Sequence, residues 1–598
     1  MSFSQRSGLD GTPVENSKPE ILLPENSAGN DGYELLEPPV SNGFAGIQPV
    51  DPSGKLVVKD AGTRYIDGTH WRAILEEINE MKEYLHQNDD TLDEGSGDED
   101  LFTASSPALL VGISRPARMD ELLTDIPPRP VTDRLVSRFL NTSEPPLIVL
   151  HMPTFQKEYD QFWLNPENVS LPWLGLLYSV MALAVSIYHR SEDPLPSILE
   201  SATTVMDIYR KRAAQCLAQS NYTAPGKYKV EALFLHAMSE FYASQDTQVG
   251  VSFILAITTR LAMQMGYHRD ASHYQNISAF EGEMRRRQWL TLCQLDTLIS
   301  FQVGLPRTIQ SWHYDTDLPH NLLDQDFDPT SEHLPPSRPD TEPTPSSYAR
   351  SKYRLMSVFA RISDLSYSRS EVPYEEILEI DKRLDEAHSL LPPVFRIRSM
   401  DQSITDSVEL IMKRYSLESL YQKARCVLHR RYLAEARSNL RYAYSQWVCI
   451  SAAKEILRHQ VDLFNESQPG GRLYRDKLYL NSIQNTDYLL AAMIICLELS
   501  YEHSEGQRVG AGNEISVVVN GRDELLATLE TSHRILESRR RSADSQKAYA
   551  GLTVMLQWLK GDRKNVWQFG QSEDQFGGMW SVGESVDPTL INLGLVFP

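Results

Sequence analysis

Two helical patterns with sharply marked ends constrain the fold of this chain most. The first covers residues 249–267 and ends at Gly266, which suits a left-handed helix stop; its apolar face carries Ile254, Ile257, Leu261 and Met265. The second covers residues 280–303 and ends at Gly304-Leu-Pro306, because proline cannot continue a helix and glycine permits the turn. Both patterns therefore predict α-helices with defined C-terminal ends.

Helical periodicity recurs along most of the remaining chain. We predict further helices at about 172–190, 197–218, 226–244, 349–366, 374–391, 403–435, 439–464, 485–502, 522–540 and 544–560. The one strand-like alternation, at residues 514–520, is brief, and no solenoid repeat recurs. The sequence therefore predicts an all-α fold, a large multi-helix domain with a disordered acidic N-terminal arm.

The 598 residues exceed the ~250–300 at which a single core stops growing, so a large helical domain or two packed subdomains is expected. Composition divides the chain into seven segments. They are a disordered arm (1–60), a short amphipathic helix (61–87), an acidic disordered linker (88–126), the first half of the helical domain (127–327), a Pro-rich linker (328–347), its second half (348–562) and a C-terminal tail (563–598).

Two segments near the N-terminus leave alternatives open. The helix at about 70–85 repeats apolar residues over roughly two heptads, at Ile74, Ile78, Met81 and Leu85, and could dimerise or dock on the main domain. The acidic run 88–102 ends in Leu101-Phe102; it could be a solvated linker or an activation segment that folds on a coactivator.

Charge and cysteine spacing restrict the means of binding DNA. With 80 acidic and 58 basic residues the net charge is −22, which disfavours binding a polyanion through the general field of the protein. The five cysteines lie far apart without a Cys-x-x-Cys pair, so we predict buried thiols, no metal site and no cofactor. Any direct DNA contact would need a local basic patch.

The chain start lacks a secretory pattern, which favours a reducing compartment. One uncharged stretch, residues 171–188, is about long enough to span a bilayer, but its Pro172, Gly175, Ser179 and Ser186 and the aromatic residues upstream favour a buried core helix.

The second helical pattern places Asp296 on a stripe with Arg285, Trp289, Leu292 and Ile299. A buried carboxylate needs a partner, so we hypothesise that Asp296 anchors an arginine, with Trp289 packing beside it. The candidate partners are Arg260, Arg269, Arg285, Arg286 and Arg287. The triple Arg285–Arg287 could also contact DNA phosphates or act in nuclear import, but its residues point in different directions on a helix, which favours a structural network.

Enzyme signatures are not found in the sequence. His268-Arg-Asp270 matches three letters of a kinase loop, but the Gly-rich phosphate loop and the Asp-Phe-Gly motif are missing. The fragment Gly510-Ala-Gly512 is a poor match to a dinucleotide fingerprint. We therefore predict a protein that is not an enzyme and assign no catalytic residue.

Five motifs follow one another in a fixed order: Met265-Gly-Tyr-His-Arg-Asp270, Phe280-Glu-Gly-Glu-Met-Arg-Arg-Arg-Gln-Trp289, Asp296, Gly304-Leu-Pro306 and Asp317-Leu-Pro-His-Asn-Leu-Leu-Asp324. This series resembles the regulatory domain of the fungal binuclear zinc-cluster transcription factors, also called the fungal-specific transcription factor domain or middle homology region. The resemblance covers about 130–330. It implies a structural family motif made of Gly266, His268, Arg269, Glu283, Arg285, Arg286, Arg287, Trp289, Asp296, Gly304, Pro306, Pro319 and Asp324.

The resemblance implies a nuclear transcriptional regulator of a metabolic or secondary-metabolite gene cluster. Its expected partners are other transcription proteins, DNA directly or through a partner, a second subunit and a small-molecule effector. Because these 598 residues hold no six-cysteine cluster, three versions stay open: a co-regulator on a DNA-bound partner, a product whose zinc exon is missing, and a DNA binder of another type. A helical scaffold and an unrecognised enzyme are the alternatives from other classes.

Overall fold

Long α-helices joined by short turns make up most of the computed structural model of this chain. The structure describes residues 55–59, 62–78, 107–111, 116–141, 148–243, 249–368, 372–474, 482–508, 521–538 and 543–560. All of them belong to one unit that spans Pro49–Pro598.

The first half of the domain is built around a central apolar helix. In chain order its helices are α1 (Trp71–Leu75), α2 (Ala108–Val111), α3 (Met119–Thr124), α4 (Arg129–Leu140), α5 (Met152–Leu164), α6 (Leu171–Ser191), α7 (Ala202–Gln219), α8 (Lys229–Ala243), α9 (Val249–Gln264) and α10 (Ala279–Val303). Helices α4, α7 and α8 pack around α6, and α9 packs between α8 and α10. The first core therefore surrounds α6.

Helix α6 is the described helix that is long and apolar enough to cross a membrane. Of its most apolar window, 83% is buried inside the protein. The prediction that residues 171–188 form a buried core helix is therefore confirmed.

The second half has its own core. Its helices are α11 (Pro345–Ser366), α12 (Tyr374–Ser389), α13 (Val408–His429), α14 (Leu433–Ala436), α15 (Ala443–Glu466), α16 (Ser482–Arg508), α17 (Arg522–Glu537) and α18 (Ala543–Leu559). Helix α10 joins the two halves, because Trp289 and Leu292 belong to the first core, whereas Leu298 and Phe301 belong to the second. A single 25-residue helix thus supports both cores.

The predicted all-α class is confirmed, and most predicted helices lie within a few residues of the observed ones. The long helix predicted at 403–435 is interrupted. Helix α13 ends at His429, a 3₁₀ turn covers Arg430–Tyr432, and the short helix α14 follows. The strand-like residues 514–520 and the tail 563–598 lie outside the described residues.

A β-hairpin near the N-terminus was not predicted. Strand β1 (Lys55–Lys59) pairs antiparallel with β2 (Gly62–Ile66), with Leu56 opposite Tyr65. The expectations of a disordered arm reaching residue 60 and of a helix from residue 61 are therefore wrong at these positions. The cause is visible in the composition, because Val57, Val58 and Thr63 are β-branched and favour strands.

The acidic linker predicted at 88–126 is wrong in its second part. Helices α2 and α3 lie within it, and Leu109 and Leu122 are buried in the first core. The main-chain carbonyl of Leu122 accepts a hydrogen bond from the Tyr178 hydroxyl. The apolar residues of this segment are too widely spaced to form a long periodic pattern. They nevertheless pack into the first core and hold the segment against the domain.

The Pro-rich stretch 328–347 contains no helix before α11 begins at Pro345. The buried Asn321 side chain holds it by donating from Nδ2 to the carbonyls of Arg338 (3.2 Å) and Pro339 (2.9 Å). Arg338 forms a two-bond ion pair with Asp326, at 2.8 Å for each bond. The segment is thus an irregular connection fixed to the preceding motif.

Candidate functional site

The sequence motifs meet around the first half of α10. Helix α9 ends at Gln264, and Gly266 adopts φ +80°, a left-handed value that favours glycine. Its neighbour Tyr267 donates from the backbone nitrogen to the Ala262 carbonyl at 2.9 Å. The following His268 lies 6.2 Å, between ring centroids, from Trp289 on α10. This turn therefore directs residues 267–270 against α10.

Arg286 ties that turn to α10. Its Nε and Nη2 donate to the two carboxylate oxygens of Asp270 at 2.8 Å and 2.6 Å. Asp270 also accepts from the backbone nitrogens of Ser272 and Asp317, each at 3.0 Å. Burial acts to raise the pKa of Asp270, but the hydrogen bonds from Arg286 and Ser272 outweigh it and hold the pKa well below its usual range. Arg269 pairs with the more exposed Asp315 at 3.1 Å.

Arg287 forms the second, more deeply buried ion pair. Its side chain is 2% exposed; Nη1 donates to Asp324 Oδ1 at 2.5 Å, and Nε lies 3.5 Å from Glu283 Oε1. Glu283 Oε2 accepts from the backbone nitrogen of His320 at 3.1 Å. The other Asp324 oxygen accepts from the Met152 nitrogen at 2.9 Å, at the start of α5. One arginine therefore connects α10, the segment after it and α5.

Asp296 has a different partner from the one predicted. Its two oxygens accept from the backbone nitrogens of Thr308 (3.1 Å) and Ile309 (2.8 Å). Arg307 lies nearby but bonds to Asp364, at 2.8 Å and 2.7 Å. The hypothesis that Asp296 anchors one of the five named arginines is therefore wrong: the chain turns back after Pro306, and N–H groups replace the cation.

Trp289 packs against the rings of two residues outside α10. Its ring contacts those of His268 and Tyr314, with centroids 6.2 Å and 5.7 Å away. Burial raises the pKa of Asp296, and the N–H donors at Ile309 and Thr308 act in the opposite direction. Four members of the stripe, Trp289, Leu292, Asp296 and Ile299, are buried, whereas Arg285 is half-buried. Trp289 and Asp296 have separate partners.

The helix stop after α10 is also a packing site. Gly304 has φ +70°, and its nitrogen donates to the Phe301 carbonyl at 3.2 Å. A side-chain Cβ at this position would lie 3.3 Å from the Asp67 nitrogen, so the hairpin segment packs directly on the turn. Pro319 contributes its carbonyl, which accepts from Arg350 Nη1 at 2.6 Å.

The candidate dimerisation helix is docked on this chain. Helix α1 covers only Trp71–Leu75, and Ile74 and Ile78 are buried in the second core, where α1 packs on α16. Arg430 fixes the same segment through Glu77 at 3.0 Å. This is the arrangement expected of a docking helix; Met81 and Leu85 lie outside the described residues.

A cavity of about 420 Å³ opens beside the arginine motif. It lies between the start of α5, the start of α8, the end of α9 and the first half of α10. Leu150, Phe155, Trp173 and Leu176 form an apolar wall, and Arg285 is among its polar lining. Volumes of ~300–1,000 Å³ are typical of small-molecule sites.

Two polar residues of this cavity were missed from the sequence. Gln288 donates from Nε2 to Glu231 Oε1 and to the Val149 carbonyl, each at 3.1 Å. Burial raises the pKa of the Glu231 carboxyl, because desolvation disfavours its charged form. For Glu231 there was one weak indication in the sequence, namely that a glutamate lies near the start of an apolar helix. The signal for Gln288 was its place beside Trp289, but its two partners come from two distant segments.

All five cysteines are free and buried, as predicted. Within the described part of the chain, no cluster of three or more His, Cys, Asp or Glu side chains is arranged to hold a metal ion. The site is a helical scaffold of buried ion pairs with an adjoining cavity.

Comparison with known proteins identifies the family. The family model described as the fungal specific transcription factor domain matches residues 136–391. The chain is 38% identical over 535 residues to a Zn(2)-C6 fungal-type transcription factor, mpsB, of Macrophomina phaseolina, covering 88% of this chain and 71% of that protein. It is 35% identical over 558 residues to the equisetin cluster transcription factor eqxF of Fusarium heterosporum, covering 91% and 78%.

The chain is also 37% identical over 461 residues to the Zn(2)-C6 fungal-type transcription factor pigI of Monascus ruber, covering 76% of this chain and 56% of that protein. No solved structure matches this chain. The chain belongs to the family of fungal-specific transcription factors. The family match runs through the Pro-rich stretch 328–347, which fits its attachment to the motif.

Proposed function

We propose that this chain is a nuclear transcriptional regulator that controls a secondary-metabolite biosynthetic gene cluster. The observation that carries the proposal is the 35% identity to the equisetin cluster transcription factor over 91% of this chain. The fusarisetin A cluster transcription factor fsa6 of a Fusarium species is 36% identical over 87% of the chain and supports the same class of target.

The structure supports a regulatory role for the matched region. Its motif arginines Arg286 and Arg287 lie in ion pairs within the domain, where they hold α10 against the segments on either side. Side chains held in this way are occupied and offer no free charge to a phosphate backbone. The motif thus fits a domain that transmits or receives a signal better than one that reads DNA directly.

We infer that DNA is reached either through a zinc cluster outside these 598 residues or through a DNA-bound partner protein. The net charge of −22 argues against DNA binding through the general field of this chain. Mapping the 5′ end of the native transcript separates the two routes. An upstream segment encoding six cysteines at binuclear-cluster spacing would support the first route, and a transcript start at the Met1 codon would support the second.

Deletion and overexpression of the gene test the function itself. Transcripts of the neighbouring biosynthetic genes are compared with those of distant metabolic genes by RNA sequencing. We expect the neighbouring set to change together in opposite directions in the two strains, and reintroduction of the wild-type gene to reverse the effect of deletion. Unchanged neighbouring transcripts in both strains would contradict the proposal and favour a helical scaffold.

A small-molecule effector is part of the same proposal. The cavity of about 420 Å³ lies next to the motif that joins α5, α9 and α10, so a ligand there would contact the elements that the motif holds together. A ligand favouring one arrangement of these helices could then alter activity, in proportion to its differential affinity for the two arrangements.

A further inference from the structure

Arg285 differs from the two arginines that follow it. Its Nη1 donates to the Met265 carbonyl at 3.0 Å, and its guanidinium carbon lies 4.9 Å from the centre of the Tyr267 ring. Among the described residues, no carboxylate lies within ion-pair distance of Arg285, whereas Arg286 and Arg287 both pair with buried acids. A guanidinium has five N–H donors, so most of those of Arg285 remain open to a ligand.

This guanidinium lines the cavity beside α10. The interior wall is apolar and aromatic and includes the buried Leu150, Phe155, Trp173 and Met284. Its exposed lining residues are Lys227, Ser278, Glu281 and Pro329, three of them polar. Such a cavity suits a molecule with an apolar body and a polar end.

Gln288 supports the cavity lining. The residue is 4% exposed, and both of its observed hydrogen bonds use Nε2, the donor end of the side chain. These bonds hold α10 against the two segments that carry Val149 and Glu231.

The acids that face the cavity do not cancel the charge of Arg285. Glu158 accepts from Trp173 Nε1 at 3.1 Å and from the Tyr228 hydroxyl, and it lies 3.5 Å from Lys227 Nζ. Glu231 Oε1 accepts from Gln288 Nε2 at 3.1 Å, and burial raises the pKa of its carboxyl. Glu281 is exposed, so water screens it. An anion can therefore approach Arg285.

We propose that this cavity binds an amphipathic small molecule whose carboxylate pairs with Arg285. The apolar body of the ligand lies against Phe155 and Trp173. A fork of N–H donors matches two anionic oxygens, which is why arginine suits this recognition better than lysine. The effect on transcription rests on the proposed function, whereas the binding does not.

Decanoate, decan-1-ol and decylamine are suitable probes, because they share one apolar chain and differ in the charge of the head group. Each is titrated into the purified full chain by isothermal calorimetry, with tryptophan fluorescence as a second readout because Trp173 lines the cavity. We expect decanoate to bind at least about tenfold more tightly than decanol, which corresponds to about 1.4 kcal/mol. Equal affinities, tighter binding of decylamine, or no saturable decanoate binding below about 1 mM would overturn the proposal.

The variant Arg285→Met tests whether Arg285 causes the preference for decanoate over decanol. It should lose the advantage of decanoate over decanol and keep the decanol affinity, because the apolar wall is unchanged. Arg361→Met is the matched control, since the ion pair of Arg361 with Glu376 is exposed and the residue is not part of the cavity lining. An unchanged decanoate preference in Arg285→Met, in a protein with wild-type near-ultraviolet circular dichroism, would refute the assignment.

Because all these measurements use purified protein, they separate the ligand from the regulatory role. Specific decanoate binding together with unchanged cluster transcripts after gene deletion would keep the site and refute the function. If decanoate binds no more tightly than decanol while the cluster transcripts respond to gene deletion, the ligand site is refuted and the regulatory function is kept.

Discussion

The contrast among the three consecutive arginines gives the sharpest test of the structure. We predict that Arg287→Met destabilises the protein strongly and that Arg285→Met, the same chemical change two residues earlier, does so weakly. Arg286→Met should fall between them. The order follows from burial and pairing, because Arg287 is 2% exposed and contacts two carboxylates, whereas Arg285 contacts one carbonyl and one ring.

The magnitudes follow from what each substitution leaves behind. Removing one partner from a buried ion pair costs about 3–5 kcal/mol, because the other charge stays buried without compensation. Glu283 keeps its hydrogen bond from His320, and Asp324 keeps the one from Met152, so we expect about 3 kcal/mol for Arg287→Met. Arg285→Met loses one hydrogen bond and a cation–π contact, about 1 kcal/mol in a half-exposed setting.

Urea unfolding of the full chain, followed by far-ultraviolet circular dichroism, measures the difference. The two cores need not unfold together, so midpoints of the same transition are compared among the variants. Equal midpoints for the Arg287 and Arg285 variants would refute the reasoning, because they would mean that the buried pair with Asp324 contributes no more than the half-buried contacts of Arg285.

Three further predictions concern the same helix. Asp296→Ala should lower stability by about 2 kcal/mol, because the buried N–H of Ile309 and the part-buried N–H of Thr308 lose their acceptor. Asp296→Asn should cost less, and equal urea midpoints for Asp296→Ala and wild type would contradict this. Gly304→Ala should lower the free energy of unfolding by about 1 kcal/mol or more, because its φ of +70° disfavours a side chain. Thermal unfolding measures the change, and an unchanged melting temperature would exclude this strain. Since the pKa of Asp270 is depressed in the fold, its stabilisation is present above its unfolded pKa of about 4 and is lost as the pH falls below it. The difference in the free energy of unfolding between wild type and Arg286→Met should therefore become smaller below about pH 4. A constant difference between pH 7 and pH 3 would contradict the stabilising role of the Asp270–Arg286 ion pair.

Periodicity predicted the long helices well because burial of an apolar face decides their position. Helix α10 began and ended within a residue of the predicted bounds, since Ser278 caps its start and Gly304 stops its end. The short elements were missed for the opposite reason. Strands β1 and β2 and helices α2 and α3 have no more than six residues each, too few for a periodic pattern. For α2 and α3, distant helices decide whether their apolar residues are buried.

The partners of buried polar groups could not be predicted in the same way. The sequence correctly required a partner for Asp296. The five candidate arginines lie 9 to 36 residues away along the chain. The N–H groups that bind Asp296 lie 12 and 13 residues away, and nothing in the sequence marked them. Gln288 likewise joins Glu231 and Val149 across 57 and 139 residues. Periodicity specifies which face of a helix is buried; it carries no information on which distant backbone group meets that face.

A family motif therefore combines residues with different tasks under one pattern. Arg286 and Arg287 are held in ion pairs on the sides of α10 that face the turn after α9 and the segment after α10. Arg285 points from the same helical turn to a cavity and lacks a carboxylate partner among the described residues. Because consecutive residues on a helix are about 100° apart, one short basic run can stabilise two packing contacts and still present a third charge to a ligand. The motif that identifies the domain thus places a stabilising element and a candidate ligand site on one turn of helix, where a bound anion would act directly on the packing around α10.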